Sequence, residues 1–188
     1  AEPEIPERST SAKPDSYDVV YDHVTFSYTE DKTHTALTDV SFTAPQGKMT
    51  AIVGPSGGGK STIASLLPRF YDVEQGAIRI GGVDIRDMSM AALMDTVSFV
   101  FQDNFLFKQS ILDNICMGCP GAAEDEVIAA AKAAQCHEFI SELPEGYHTQ
   151  SGKNGVKLSA GQIQRMAIAS AIVKNAPILV LDEATSFS

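Results

Sequence analysis

Apolar and polar residues alternate through Val20-Tyr21-Asp22-His23-Val24-Thr25-Phe26-Ser27-Tyr28 and put Val24, Phe26 and Tyr28 on one face, which predicts a half-buried strand. Val40, Phe42 and Ala44 continue the pattern in a second strand, and Ala77 to Ile85 reads as a hairpin about the Gly81-Gly82 turn. The opening third is therefore expected to be antiparallel. Two continuous apolar runs, Met49-Thr50-Ala51-Ile52-Val53 and Ala176 to Leu181, predict strands of another kind, parallel and covered by helices on both faces. Between these runs, residues from about 110 to 174 have a helical pattern, with Val127, Ile128, Ala131 and Ala134 forming one stripe of the segment Glu124 to Gln135. The expected fold class is α/β, an antiparallel β subdomain followed by a parallel core into which a helical block is inserted.

Composition narrows the picture. With 44% hydrophobic and 20% charged residues in 188, this is one globular domain, and no apolar run is long enough to span a bilayer. Lys and Arg number 14 against 24 Asp and Glu, a net charge of −10, which is the opposite of a nucleic-acid binder's footprint. Residues 1–16 are rich in Pro, Ser, Thr and Glu and lack a basic-then-apolar signal pattern, so they read as a flexible linker within a longer polypeptide, with the domain over 17–188. Three cysteines are too few and odd in number for a disulfide framework and suit a reducing setting. Cys116-Met117-Gly118-Cys119 has the C-x-x-C spacing and Cys136-His137 could complete a zinc set, but no regular second pair supports it; buried thiols are the plainer reading.

Directly after the first apolar run stands Gly54-Pro55-Ser56-Gly57-Gly58-Gly59-Lys60-Ser61, which fits G-x-x-x-x-G-K-[ST]. Consecutive backbone N–H groups can wrap a nucleotide phosphate only where no Cβ blocks close approach, hence the glycines. The loop runs into a helix at Lys60-Ser61-Thr62, whose free amides and positive dipole end face the anion. Lys60 reaches for the β- and γ-phosphates and the Ser61 hydroxyl for Mg²⁺. The second apolar run ends in Asp182-Glu183, a Walker B pattern. Successive side chains diverge as they leave a strand, so Asp182 can hold Mg²⁺ while Glu183 points to an attacking water. A third feature, Leu158-Ser159-Ala160-Gly161-Gln162, starts a helix with Ser159 as N-cap and Gln162 as its capping-box partner, and such a start also presents unpaired N–H groups to an anion.

The set resembles the nucleotide-binding domain of an ATP-binding cassette (ABC) transporter, whose signature is LSGGQ. The resemblance runs from about Tyr17 to the C-terminus and includes a Q-loop at Phe101-Gln102-Asp103 and a candidate adenine-stacking Tyr28. It implies a phosphate-loop NTPase core with an N-terminal antiparallel β subdomain and a helical subdomain over about 104–174. Exporter-type cassettes are the most similar, through Phe70-Tyr71-Asp72 with Gly76 and through Ser110-Ile111-Leu112-Asp113-Asn114-Ile115. Thr149 to Gly155 resembles the exporter X-loop, usually TEVGERG, with Gln150 and Lys153 at its acidic positions. Ala160 replaces a signature glycine, a mild change in a helix, and Ile163 stands where the family usually has Arg.

The resemblance further implies that two cassettes pair head to tail, ATP lying on one subunit's loop and capped by Ser159 and Gly161 of the other. Tyr28 would stack on adenine, Lys60, Ser61 and Thr62 would bind phosphate and Mg²⁺, Gln102 would sense metal and water, and Glu183 would be the general base. The partners so implied are a second cassette and a transmembrane domain, with this domain on the cytoplasmic face of the membrane and no nucleic acid. In family members a D-loop and a switch histidine follow Walker B; here the sequence stops at Ser186-Phe187-Ser188, so the chain by itself is expected to bind Mg·ATP weakly without sustained turnover. Two alternatives share the motifs: a weakly catalytic regulatory cassette in a heterodimer, and a soluble cassette ATPase outside transport. Phe105, Leu106 and Phe107 follow Gln102 in a loop and are expected to be partly exposed, as a grip for the membrane domain.

Overall fold

The computed structural model describes residues 12–29, 35–101, 103–151 and 155–182. Gln102, Lys153, Glu183 and Ser186-Phe187-Ser188 lie outside the described residues. The chain divides into two compact units, Ala1–Val97 and Ser98–Ser188.

The first unit is built on a four-stranded sheet in the order β2-β1-β3-β4, with β1 at Val19–Ser27, β2 at Thr35–Ala44, β3 at Gln75–Ile80 and β4 at Val83–Asp84. β1 pairs antiparallel with both β2 and β3. Its inward positions change parity midway, because Val19 and Tyr21 are buried and so are Val24 and Phe26. The switch is made by His23 at φ 51, where the register shifts between Asp22 and Thr25. Strict alternation cannot make this change, and one left-handed residue can. Asp39 repeats the device in β2 at φ 53, and its carboxylate lies 2.6 Å from His23 Nδ1 across the irregularity. Tyr28, expected to continue the face of Phe26, lies beyond the end of β1 and is exposed.

Gly81 and Gly82, at φ 52 and 81, make the expected turn between β3 and β4. The residues just before β1 lie along this edge, since the Ala12 amide donates to the Asp87 carbonyl at 3.3 Å and Ser16 backs onto Gly81. Helix α1 (Lys60–Leu66) packs on the sheet through Ile63 and Leu66, and Ser89 caps α2 (Met90–Thr96). The buried strand expected over Met49 to Val53 does not form. No described strand pairs with this run, so its side chains face solvent, Met49 at 97% and Val53 at 87% exposure.

The second unit holds the helical block. Helices α3 (Ile111–Cys116), α4 (Glu124–Ala133), α5 (His137–Ser141) and α6 (Ala160–Lys174) enclose Ile111, Ile115, Val127, Ala131, Cys136, Ile140, Met166 and Ala169. The stripe on α4 is as expected except that Ala130 is buried and Ile128 only half so. Strand β5 (Val97–Val100) pairs with β6 (Ile178–Leu181), and the Asp182 amide donates to the Val100 carbonyl at 3.0 Å. β6 is not covered on both faces. Leu179 and Leu181 stay nearly half exposed.

Gly76 sits at φ 80 under the β1 irregularity, where a Cβ would come within 2.3 Å of the Asp22 and His23 carbonyl oxygens. Gly82 has the same backbone sign and open space around it. Gly76→Ala should therefore cost about 2–5 kcal/mol, backbone strain plus overlap, and Gly82→Ala only about 1–2. Urea denaturation of both variants checks this, and equal costs would mean that the bulge is not packed on Gly76.

Candidate functional site

The phosphate loop is held from behind and left open in front. Gly59 enters α1 at φ 82 and is the N-cap, with no side chain bonding the first turn's amides. A Cβ on Gly59 would meet the Ala36 carbonyl oxygen at 2.9 Å and Leu37 Cδ2 at 2.7 Å, so only glycine lets the loop approach β2 this closely. The Tyr21 hydroxyl donates to the Ile63 carbonyl at 2.7 Å and fixes α1 to the sheet. Burial pushes the Tyr21 pKa well up, keeping it a neutral donor. Residues 54–58 are exposed, and the Gly58 amide donates to the Pro55 carbonyl at 3.1 Å to close the turn.

Within the loop the Lys60 ammonium folds back and donates to the Gly54 and Pro55 carbonyls, at 3.0 and 2.8 Å. The loop's one cation is thereby held against the loop's own backbone. Ser61 is exposed and Thr62 buried. The Tyr28 hydroxyl is 2.9 Å from Thr62 Oγ1, which the sequence did not disclose, and the Tyr28 ring is 54% exposed. Lys60, Ser61, Thr62 and Tyr28 are thus brought together in the first unit.

In the second unit the predicted capping box at the start of α6 is formed. Ser159 Oγ accepts from the Gln162 amide at 3.2 Å, and Gln162 Oε1 accepts from the Ser159 amide at 2.8 Å. Ala160 is exposed, and nothing lies within 4 Å of where a Cβ on Gly161 would be. The helix start is complete in itself and presents a bare surface. Asp182 is half-buried at the end of β6.

The same unit carries a groove of about 320 Å³, lined by Phe101, Phe105, Phe107, Met117, Ile163 and Ala167 among others. Phe105 is 70% exposed and its ring centroid lies 5.0 Å from that of Phe107, while Leu106 turns into the helical core. Asn114 holds this wall. Its Oδ1 accepts from the Phe107 amide at 2.8 Å, and its Nδ2 donates to the Phe107 and Ser110 carbonyls and to Ser151 Oγ. In the sequence Asn114 stands only as part of a motif. Its buried position, 8% exposed, is the signal of its bracing role.

The cysteines differ in their surroundings. Cys136 is buried in the helical core, where its thiol pKa is pushed up to about 11, Cys116 is half-buried, and Cys119 is exposed rather than buried. Among the described residues no three His, Cys, Asp or Glu side chains cluster as metal ligands.

A sequence family described as ABC transporter matches residues 37–186. The chain is 52% identical over 168 residues to a protein described as "Putative multidrug export ATP-binding/permease protein YgaD" from Bacillus subtilis, covering 89% of this chain and 29% of that protein. It is 51% identical over 169 residues to an "ATP-dependent lipid A-core flippase" from Methylobacillus flagellatus, with the same coverage. Among solved structures, a bacterial Atm1-family ABC exporter with ATP bound superposes with a TM-score of 0.88 at 46% identity, over 95% of this chain and 31% of that one. The chain spans about three tenths of the length of the curated relatives it matches.

The capping geometry separates two signature residues by their effect on stability. Ser159→Ala removes the bond to the Gln162 amide and should lower the stability of the second unit by about 1 kcal/mol. Gly161→Ala, in open space within a helix, should leave stability equal or raise it by up to about 1 kcal/mol. Thermal unfolding of both variants reads the difference, and a strongly destabilised Gly161→Ala would mean that the start of α6 is not the open surface described.

Proposed function

The chain belongs to the ABC transporter family, and on that premise we propose that it is an ATP-binding and ATP-hydrolysing cassette that powers translocation of a substrate across a membrane. The cassette works by closing head to tail on a second cassette. The observation that carries this reading is the phosphate loop, an anchored turn of solvent-exposed residues that runs into a helix without a side-chain cap, with Lys60 folded onto the Gly54 and Pro55 carbonyls. An incoming triphosphate would exchange two neutral carbonyl partners of the ammonium for charged oxygens, a stronger class of hydrogen bond.

The other residues follow from the same chemistry. Ser61 and Asp182 are oxygen donors of the kind Mg²⁺ takes, and both reach solvent. The metal, when bound, offsets charge on the phosphate oxygens. Tyr28 offers an exposed ring to the base, Glu183 accepts the proton of the attacking water, and Gln102 orients that water. Ser159 and Gly161 cap the nucleotide of the partner cassette, for which the open surface at the start of α6 is suited. Each site would thus be completed only by pairing.

The apolar groove beside Phe105 and Phe107 would take a short segment of a transmembrane domain, so that closure of the cassettes moves the membrane helices. No described helix is long and apolar enough to cross a membrane, so the spanning part would be supplied by another domain or chain. The cassette would then sit at the cytoplasmic face. The names of the relatives favour export as the direction.

Two experiments in the complete transporter test these roles. Glu183→Gln should retain ATP binding and cassette pairing while lowering hydrolysis about a hundredfold or more, as expected for loss of a general base; turnover above half of wild type would remove Glu183 from that role. Phe105→Ser should reduce transport while ATP hydrolysis and cassette melting temperature stay near wild type. Parallel loss of melting temperature, hydrolysis and transport would make Phe105 part of the core and end the docking proposal.

A further inference from the structure

The exposed ring of Tyr28 is held by more than its hydroxyl. Phe26 and Tyr71 both meet it perpendicularly, with ring centroids at 4.9 Å and 84° and at 5.3 Å and 89°. Phe26 and Tyr71 also touch one another at 5.6 Å. The three rings are not equivalent, since Phe26 is only 4% exposed whereas Tyr71 is 46% exposed and shares the solvent-facing side with Tyr28.

A hydrogen bond at the tip of a tyrosine does not fix its plane. The Tyr28 hydroxyl can keep its 2.9 Å contact with Thr62 Oγ1 while the ring turns about the axis through Cβ and the oxygen, the broad second torsion of an aromatic side chain. That rotation decides where the π-face looks, and a perpendicular neighbour on the open side limits it. Tyr71 is well built for the task because its backbone is locked. It lies between Arg69 and Asp72, whose side chains form a two-point pair, Nε to Oδ1 at 2.6 Å and Nη2 to Oδ2 at 3.0 Å. Arg69 is 2% exposed and held at φ 60, a left-handed conformation a non-glycine residue keeps only when its surroundings impose it. The Phe70 amide ties the same turn to the Ser65 carbonyl in α1 at 3.3 Å. A half-exposed aromatic on so fixed a turn, edge to face with another exposed aromatic beside the phosphate loop, gains little from burial.

We propose that Tyr71 is a positioning residue for nucleobase binding, its ring holding that of Tyr28 in the plane that offers a free face to an aromatic base. The proposal rests on reading Tyr28 as the base platform. Tyr71 works through its ring, so the hydroxyl is dispensable, and it acts on the base, leaving the phosphates alone.

The test is calorimetric binding of two probes to the 188-residue chain, Mg·ATP and Mg·tripolyphosphate, which lacks a base. Tyr71→Ala should weaken Mg·ATP roughly three- to tenfold, the effect of losing one aromatic pair, and leave Mg·tripolyphosphate within about twofold. Tyr71→Phe should restore the wild-type ratio of the two affinities. Tyr71→Leu keeps bulk without a ring and should behave like Tyr71→Ala, which covers the case of a poorly folded alanine variant. Equal weakening of both probes, or of neither, would overturn the proposal, as would failure of Tyr71→Phe to restore the ratio. Tyr28→Ala separates the two readings: if it leaves the ratio unchanged, the base platform itself is wrong; if it changes the ratio and Tyr71→Ala does not, only the role of Tyr71 falls.

Discussion

A helix start that has no side-chain cap must be held in place by its surroundings, and much of the first unit follows from that constraint. Helix α1 begins at Gly59 with no capping side chain, so its start must be secured elsewhere. Three attachments do this from behind. Gly59 approaches β2 at a distance a Cβ would forbid, the Tyr21 hydroxyl takes the Ile63 carbonyl, and the Tyr28 hydroxyl meets Thr62. Tyr21 and Phe26 can both face inward on one strand only because the chain turns left-handed at His23. Gly76 is required beneath that bulge for the same reason. The irregularity in β1 is thus part of how the loop is held.

Helix α6 begins in the opposite way. Its first turn is capped by Ser159 and Gln162, with Ala160 exposed and open space where a Cβ on Gly161 would lie. The two helix starts thus differ, one without a side-chain cap and anchored through its surroundings, the other closed by a capping box. In the proposed pairing of cassettes, a nucleotide on one chain's loop would meet the other kind of start on its partner.

Local chemistry was legible in the sequence where a signal of a few residues decides the backbone. The Gly81-Gly82 turn, the start of α1 at Lys60 and the capping box form as their residue types require, and the stripe of α4 does so apart from Ala130 and Ile128. What depended on neighbours was not legible. A histidine or aspartate gives no sequence sign that it will adopt positive φ, so the parity changes at His23 and Asp39 escaped a reading based on alternation. An apolar run predicts burial without saying by what, and Met49 to Val53 and Leu179 and Leu181 have solvent where covering elements were expected. Tyr71 and Asn114 stood inside recognised phrases, and only their ring and hydrogen-bond geometry gives each a task. Membership of the ABC transporter family rests on the match of the family over residues 37–186.

The central claim is that the anchored loop binds the triphosphate through the ammonium held against its backbone. Calorimetric titration of Mg·ATP into the wild-type chain and into Lys60→Ala tests it most directly, with thermal unfolding as the control for folding. Loss of the charge-assisted bonds should weaken binding at least about tenfold, while the melting temperature changes little because the two carbonyls Lys60 engages are solvent-exposed. Equal affinity for Mg·ATP in the two proteins would contradict the account.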